Sequence, residues 1–156
     1  MPQRAKVVTC LWFDGQGEEA AKLYVSLIPG SEIMSVVGQG PDRPPLIVEF
    51  SLAGTQYQAL NGGPNYKLNE AASIAVTTED QAETDRLWDA LTADGGRESR
   101  CGWLVDRFGV SWQIVPRVLP ELIGGPDKEA AGRATQAMFE MTKIDIAALQ
   151  AAYRGD

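Results

Sequence analysis

Two amphipathic stripes with one spacing stand 64 residues apart in this chain: Ala20, Leu23, Tyr24 and Leu27, then Thr84, Leu87, Trp88 and Leu91. Each set falls at i, i+3, i+4 and i+7, the buried side of a helix, and a fixed offset is what an internal duplication leaves behind. The surroundings repeat as well. Lys6 to Phe13 reads as a β-strand before the first helix, and Pro29-Gly30 stops that helix. Short strands follow at Ser31 to Val37, Leu46 to Ala53 and Thr55 to Asn61, with Ala53-Gly54 as a tight hairpin turn. In the second half Ala72 to Thr77 reads as a strand, Thr78 with Gln81 as a capping box, and Gly95-Gly96 as a helix stop. Strands around Arg97 to Ser99, Trp103 to Asp106 and Val110 to Pro116 complete it.

The pattern predicts an α+β fold of two β-α-β-β-β modules in a single domain, with residues 1–65 and 66–117 as the modules and 118–156 as a helical tail. The tail has no counterpart in the repeat. It is expected to hold a short helix near Leu119 to Ile123, one capped by Asp127, and a last one from about Ile144 to Tyr153.

Composition narrows the chemistry. With 156 residues, 44% of them apolar, the chain is long enough to bury a substantial core. Fourteen bases against 21 acids, with the bases scattered singly, argue against a nucleic-acid partner. The absence of histidine excludes Ser-His-Asp and Cys-His catalysis and removes the commonest metal ligand. Cys10 and Cys101 alone cannot make a four-thiolate site, and they read as reduced thiols. No apolar run is long enough to span a membrane and the first residues lack a signal-peptide pattern, so a cytoplasmic location without membrane contact is expected.

Several motifs tempt a sharper reading. Gly15-Gln16-Gly17-Glu18-Glu19-Ala20 matches G-x-G-x-x-A between a strand and a helix, but the next strand ends at Val37-Gly38-Gln39 without the acid a ribose requires. A plain turn and helix start is the better reading. Asn61-Gly62-Gly63-Pro64 lacks the Lys-Ser/Thr of a P-loop and reads as a turn. Cys101 beside Arg100 has no histidine to serve as its general base.

The run Cys101-Gly102-Trp103-Leu104-Val105-Asp106-Arg107-Phe108-Gly109-Val110-Ser111-Trp112-Gln113-Ile114-Val115-Pro116 resembles the signature of the PhnB-like family. That family also carries the name 3-demethylubiquinone-9 3-methyltransferase domain, and is placed within the vicinal oxygen chelate, or glyoxalase and bleomycin-resistance, superfamily. Trp12-Phe13-Asp14-Gly15, Leu60-Asn61-Gly62-Gly63-Pro64 and Asp85-Arg86-Leu87-Trp88 support the match. The resemblance implies a glyoxalase-like open barrel, a pocket within it and a homodimer.

Carried over residue by residue, the superfamily's metal-ligand positions fall on Thr9, on Ser73 64 residues later, on Gln113, and on Asn61 or Gln58. All are neutral where the superfamily's enzymes place His and Glu. The expectation is therefore a metal-free, cofactor-free small-molecule-binding protein whose pocket includes Thr9, Asn61, Ser73, Trp103 and Gln113. Three alternatives stay open: polar side chains that satisfy one another in a filled barrel, an enzyme using Asp106, Cys101 or Glu49, and an interaction protein working through its tail.

Overall fold

The computed structural model describes residues 3–156. The chain divides into two compact units, Met1–Leu68 and Asn69–Asp156. The helical tail belongs to the second unit.

The first unit runs β1 (Thr9–Phe13), α1 (Gly17–Leu27), β2 (Glu32–Val37), β3 (Ile47–Leu52) and β4 (Thr55–Asn61). Its open four-stranded sheet has the order β1-β4-β3-β2, with β1 and β4 parallel and the other pairs antiparallel. Ala53 and Gly54 both have positive φ, which a two-residue hairpin between β3 and β4 requires. Helix α1 covers one face. Buried Ala20, Ala21 and Tyr24 meet Val48, Phe50 and Ala59, all removed from water.

The G-x-G-x-x-A segment serves this packing. Gly15 takes a left-handed turn at φ +89°. At Gly17 a Cβ would sit 2.9 Å from Asn61 Oδ1 and 3.1 Å from the Ala59 Cβ, so only glycine lets α1 start this close to the sheet.

The second unit repeats the order with β5 (Ser73–Thr78), α2 (Gln81–Thr92), β6 (Arg97–Glu98), β7 (Trp103–Val105) and β8 (Ser111–Pro116). Its sheet, β5-β8-β7-β6, is again mixed, with β5 and β8 parallel. Neither sheet closes on itself, and neither is a doubly wound parallel sheet. Helix α2 buries Thr84, Leu87, Trp88 and Leu91, the stripe read from sequence. Its cap differs from expectation: Asp80, not Thr78, accepts from Glu83 N at 2.8 Å. Thr78 is wholly buried and pairs with Thr84, Oγ1 to Oγ1, at 2.7 Å.

Helices α3 (Val118–Ile123), α4 (Lys128–Phe139) and α5 (Ile146–Arg154) form the tail. Leu119, Ala134, Ile144 and Leu149 make its core, with Val115 of β8, Met138 and Met141 packed on it. Asp127 and Asp145 cap α4 and α5 through Ala130 N and Ala148 N. Polar contacts among the described residues tie the tail to the rest of its unit. Gln81 donates to Ile144 O and accepts from Ile146 N, Cys101 N and Gly102 N donate to Met141 O and Thr142 O, and Lys143 pairs with Asp85 at 2.8 Å. Among the described residues, no helix is long and apolar enough to cross a membrane.

Candidate functional site

Because side chains alternate across a strand, each sheet has a face against its helix and a face turned away from it. In the second unit Ile74, Val76, Trp112, Ile114 and Leu104 go to the helix side. The other face carries cross-strand rows that run from the strand ends at Ser73 to the Thr77–Val115 pair, where Val115 packs on the tail core. One is Ser73–Ser111–Val105–Arg97, the next Ala75–Gln113–Trp103. Gln113 Nε2 donates diagonally to Ser73 Oγ at 2.9 Å. Ser73, Gln113 and Trp103 are half-buried, so the structure brings these three expected site residues onto one accessible face.

Thr9 and Asn61 go elsewhere. Both lie on the α1 side of the first sheet, in register with Tyr57 and Phe13. Thr9 is exposed at the strand end. Asn61 is buried and fully engaged, its Oδ1 accepting from Gly17 N at 2.8 Å and its Nδ2 donating to Pro45 O at 2.8 Å. It anchors the start of α1 and the loop before β3.

The misplacement has a simple cause. Three residues separate β1 from α1, but only two separate β5 from α2. The offset of 64 that relates the helices therefore becomes 65 for the strands, where Phe13 matches Thr78 and Cys10 matches Ala75. A slip of one residue moves a side chain to the opposite face. By the same matching Gln58, the partner of Cys10, corresponds to Gln113, the partner of Ala75. Of the two residues weighed for that position, Gln58 lies on the face away from the helix and Asn61 does not.

That face of the first unit carries one row through all four strands, Ser35–Glu49–Gln58–Cys10. Glu49 Oε1 accepts from Arg4 Nε at 2.6 Å, Ser35 Oγ reaches Glu49 Oε2 at 3.2 Å, and Arg4 also donates to Gln58 at 3.3 Å. Trp12 stands beside Cys10 on the same face, edge-on to Tyr66. Sequence reasoning named Glu49 and Gln58 but not their neighbours Arg4 and Ser35, which only the register brings in.

The other candidate catalytic groups are occupied structurally. Asp106 is 3% exposed, and its carboxylate accepts from Phe108 N at 2.9 Å, Val110 N at 3.0 Å and Trp112 Nε1 at 2.9 Å. It builds the turn between β7 and β8 and fixes the core tryptophan. Cys101 sits in a turn at φ +59° with its N–H given to Met141 O. Both cysteines are free thiols.

A cavity of about 390 Å³ opens where α2 and α5 begin, lined by Glu79, Gln81, Val118, Asp145, Ile146 and Gln150 among others. Its acids are engaged. Hydrogen bonding from Arg117 holds the Glu79 carboxyl below its usual range, and Asp145 caps α5.

The donor chemistry does not fit a divalent transition metal. On the second sheet Ser73 and Gln113 offer only hydroxyl and amide oxygens, without the imidazole, thiolate or carboxylate set that offsets stripping water from the ion. Among the described residues, no three His, Cys, Asp or Glu side chains cluster in a metal-holding arrangement.

Fold and face together define a two-module α+β protein, two four-stranded mixed sheets each backed by a helix, with a neutral polar patch on the second sheet. The model of the 3-demethylubiquinone-9 3-methyltransferase family matches residues 5–115, and the chain belongs to that family. A putative 3-demethylubiquinone-9 3-methyltransferase, PhnB protein, from Bacillus cereus is 30% identical with TM-score 0.65, covering 72% of this chain and 99% of its own. Protein PA1353 from Pseudomonas aeruginosa has the same fold at 22% identity and TM-score 0.60, covering 72% and 98%. A search among curated proteins returns no match. The family match ends at residue 115, so all three tail helices lie beyond it.

Proposed function

We propose that this protein binds a small molecule without a metal ion, seating it on the face of the second sheet that carries Ser73, Gln113 and Trp103. The observation that carries this reading is the Gln113–Ser73 hydrogen bond, half-buried and beside the Trp103 ring on the face turned away from the helix. Convergent neutral donors and acceptors next to an apolar wall are how small-molecule sites fix orientation. Methyl transfer, implied by the family's name, is the weaker reading. The glycines that a nucleotide-type cofactor would approach are used at Gly15 for a turn and at Gly17 for packing against Asn61. The reading keeps the protein cytoplasmic and homodimeric, with no nucleic-acid or membrane partner.

A thermal-shift screen of small polar aromatic compounds, run with and without EDTA, tests the proposal. Compounds that stabilise the protein equally in both conditions support it. Stabilisation that appears only with added zinc, nickel or manganese contradicts it.

A further inference from the structure

Ser111 is 1% exposed, and among the described residues its Oγ is the buried side-chain polar atom that has no hydrogen-bond partner. A buried hydroxyl left unpaired is costly, and native proteins keep few of them. This one stands between Ser73 and Val105 in the first row, with Gln113 two residues along the same strand and on the same face. The charges at this row are Arg97 at its β6 end and Glu70, three residues before Ser73 at its β5 end. These two pair with each other at 2.8 Å, so the row is electrically balanced from edge to edge.

We infer that Ser111 is a specificity-determining residue of the ligand site, and that the ligand is uncharged, with a planar ring bearing an amide- or lactam-type edge. This rests on the small-molecule reading above and narrows it. A carboxylate or ammonium buried beside Ser111 would lose its hydration without a free countercharge, because Arg97 and Glu70 already neutralise one another. An amide edge supplies both a donor and an acceptor. That matches the hydroxyl of Ser111, the hydroxyl proton of Ser73 and the amide oxygen of Gln113. Trp103, the cross-strand neighbour of Gln113, offers the ring surface. The Arg97–Glu70 pair joins the two edges of the row that holds Ser111. Both partners are more than half exposed, so the pair is weak enough to part when a ligand enters.

Three nearly isosteric probes distinguish the charge classes: benzamide, benzoate and benzamidinium. Each is titrated to millimolar concentration while amide and indole NMR shifts of residues 73, 103, 111 and 113 are followed. Benzamide is expected to move these signals with at least tenfold higher affinity than either ion. Ser111→Ala is expected to weaken benzamide about tenfold while raising the melting temperature of the free protein, a combination that a purely structural serine does not give. Ser111→Thr, which keeps the hydroxyl, retains binding. Equal or tighter binding of benzoate or benzamidinium at these residues overturns the inference and leaves the small-molecule reading standing, as does unchanged benzamide affinity in Ser111→Ala. Failure of all three probes to move any of the four residues overturns both.

Discussion

At Ser111 and Asp106, two polar residues five apart in sequence meet opposite fates in the same hairpin. The Asp106 carboxylate supports the fold: two backbone amides close the turn on it and the Trp112 indole is held at 2.9 Å. Asp106→Ala leaves three donors unpaired, and chemical denaturation should show a loss on the order of 3 kcal/mol. Ser111→Ala removes an unpaired hydroxyl, and the same measurement should show a gain of about 1 kcal/mol. A loss there would mean that the hydroxyl has a partner in the folded protein. Of the expected site residues, Ser73, Trp103 and Gln113 share one face because they lie within one module and its strand register. Thr9, from which Ser73 is counted by an offset of 64, goes to the opposite face because the connection after β1 is one residue longer than the connection after β5. The role of Ser111 was not legible, since a serine inside a strand carries no signal until its neighbours' hydrogen bonds are known.

Among the elements, the repeat was the most readable feature, since a helix period survives in sequence wherever one face is buried. Element ends were less so. The Thr78 hydroxyl has an alternative partner in Thr84, and this leaves capping to Asp80, two residues on. The contact between Gln113 and Ser73 also gives an engineering prediction. Gln113→Glu with Ser73→His should set a carboxylate beside an imidazole and create zinc binding measurable by calorimetry, because those ligand types suit the ion. No heat in the double variant would show that the two side chains do not converge as placed.

The tail's attachment should respond to acid. Hydrogen bonding from Lys143, then from Gln81, holds the Asp85 carboxyl below the usual carboxylate range. A depressed carboxyl stabilises the folded state above its unfolded pKa and loses that contribution as pH falls through the folded value. Amide exchange in α5 should therefore quicken below about pH 4 in the wild type, and Lys143→Met should remove much of that response. Because the Asp85 side chain is partly exposed, the effect will be modest.

For the whole molecule, the tail separates what the family shares from what this chain adds. Its apolar stripe is satisfied internally, with Ala134 of α4 buried against Ile144 and Leu149. For the pairing of two chains that the family resemblance implies, the exposed Val36 and Val37 on edge strand β2 with nearby Leu46 form one apolar surface, and Phe139 at the end of α4 is a further exposed apolar residue. Sedimentation at micromolar concentration should give about twice the 16.9 kDa chain mass, reverting to one chain in Val37→Lys. A single-chain species in the wild type would refute the dimer.

The central claim, a small molecule held on a neutral face without a metal, is tested most directly by native mass spectrometry of the untagged protein as purified. The account predicts the 16.9 kDa chain carrying an organic adduct that survives EDTA and disappears in Gln113→Leu. One equivalent of zinc, nickel or manganese, retained through desalting and lost in Gln113→Leu, would contradict it.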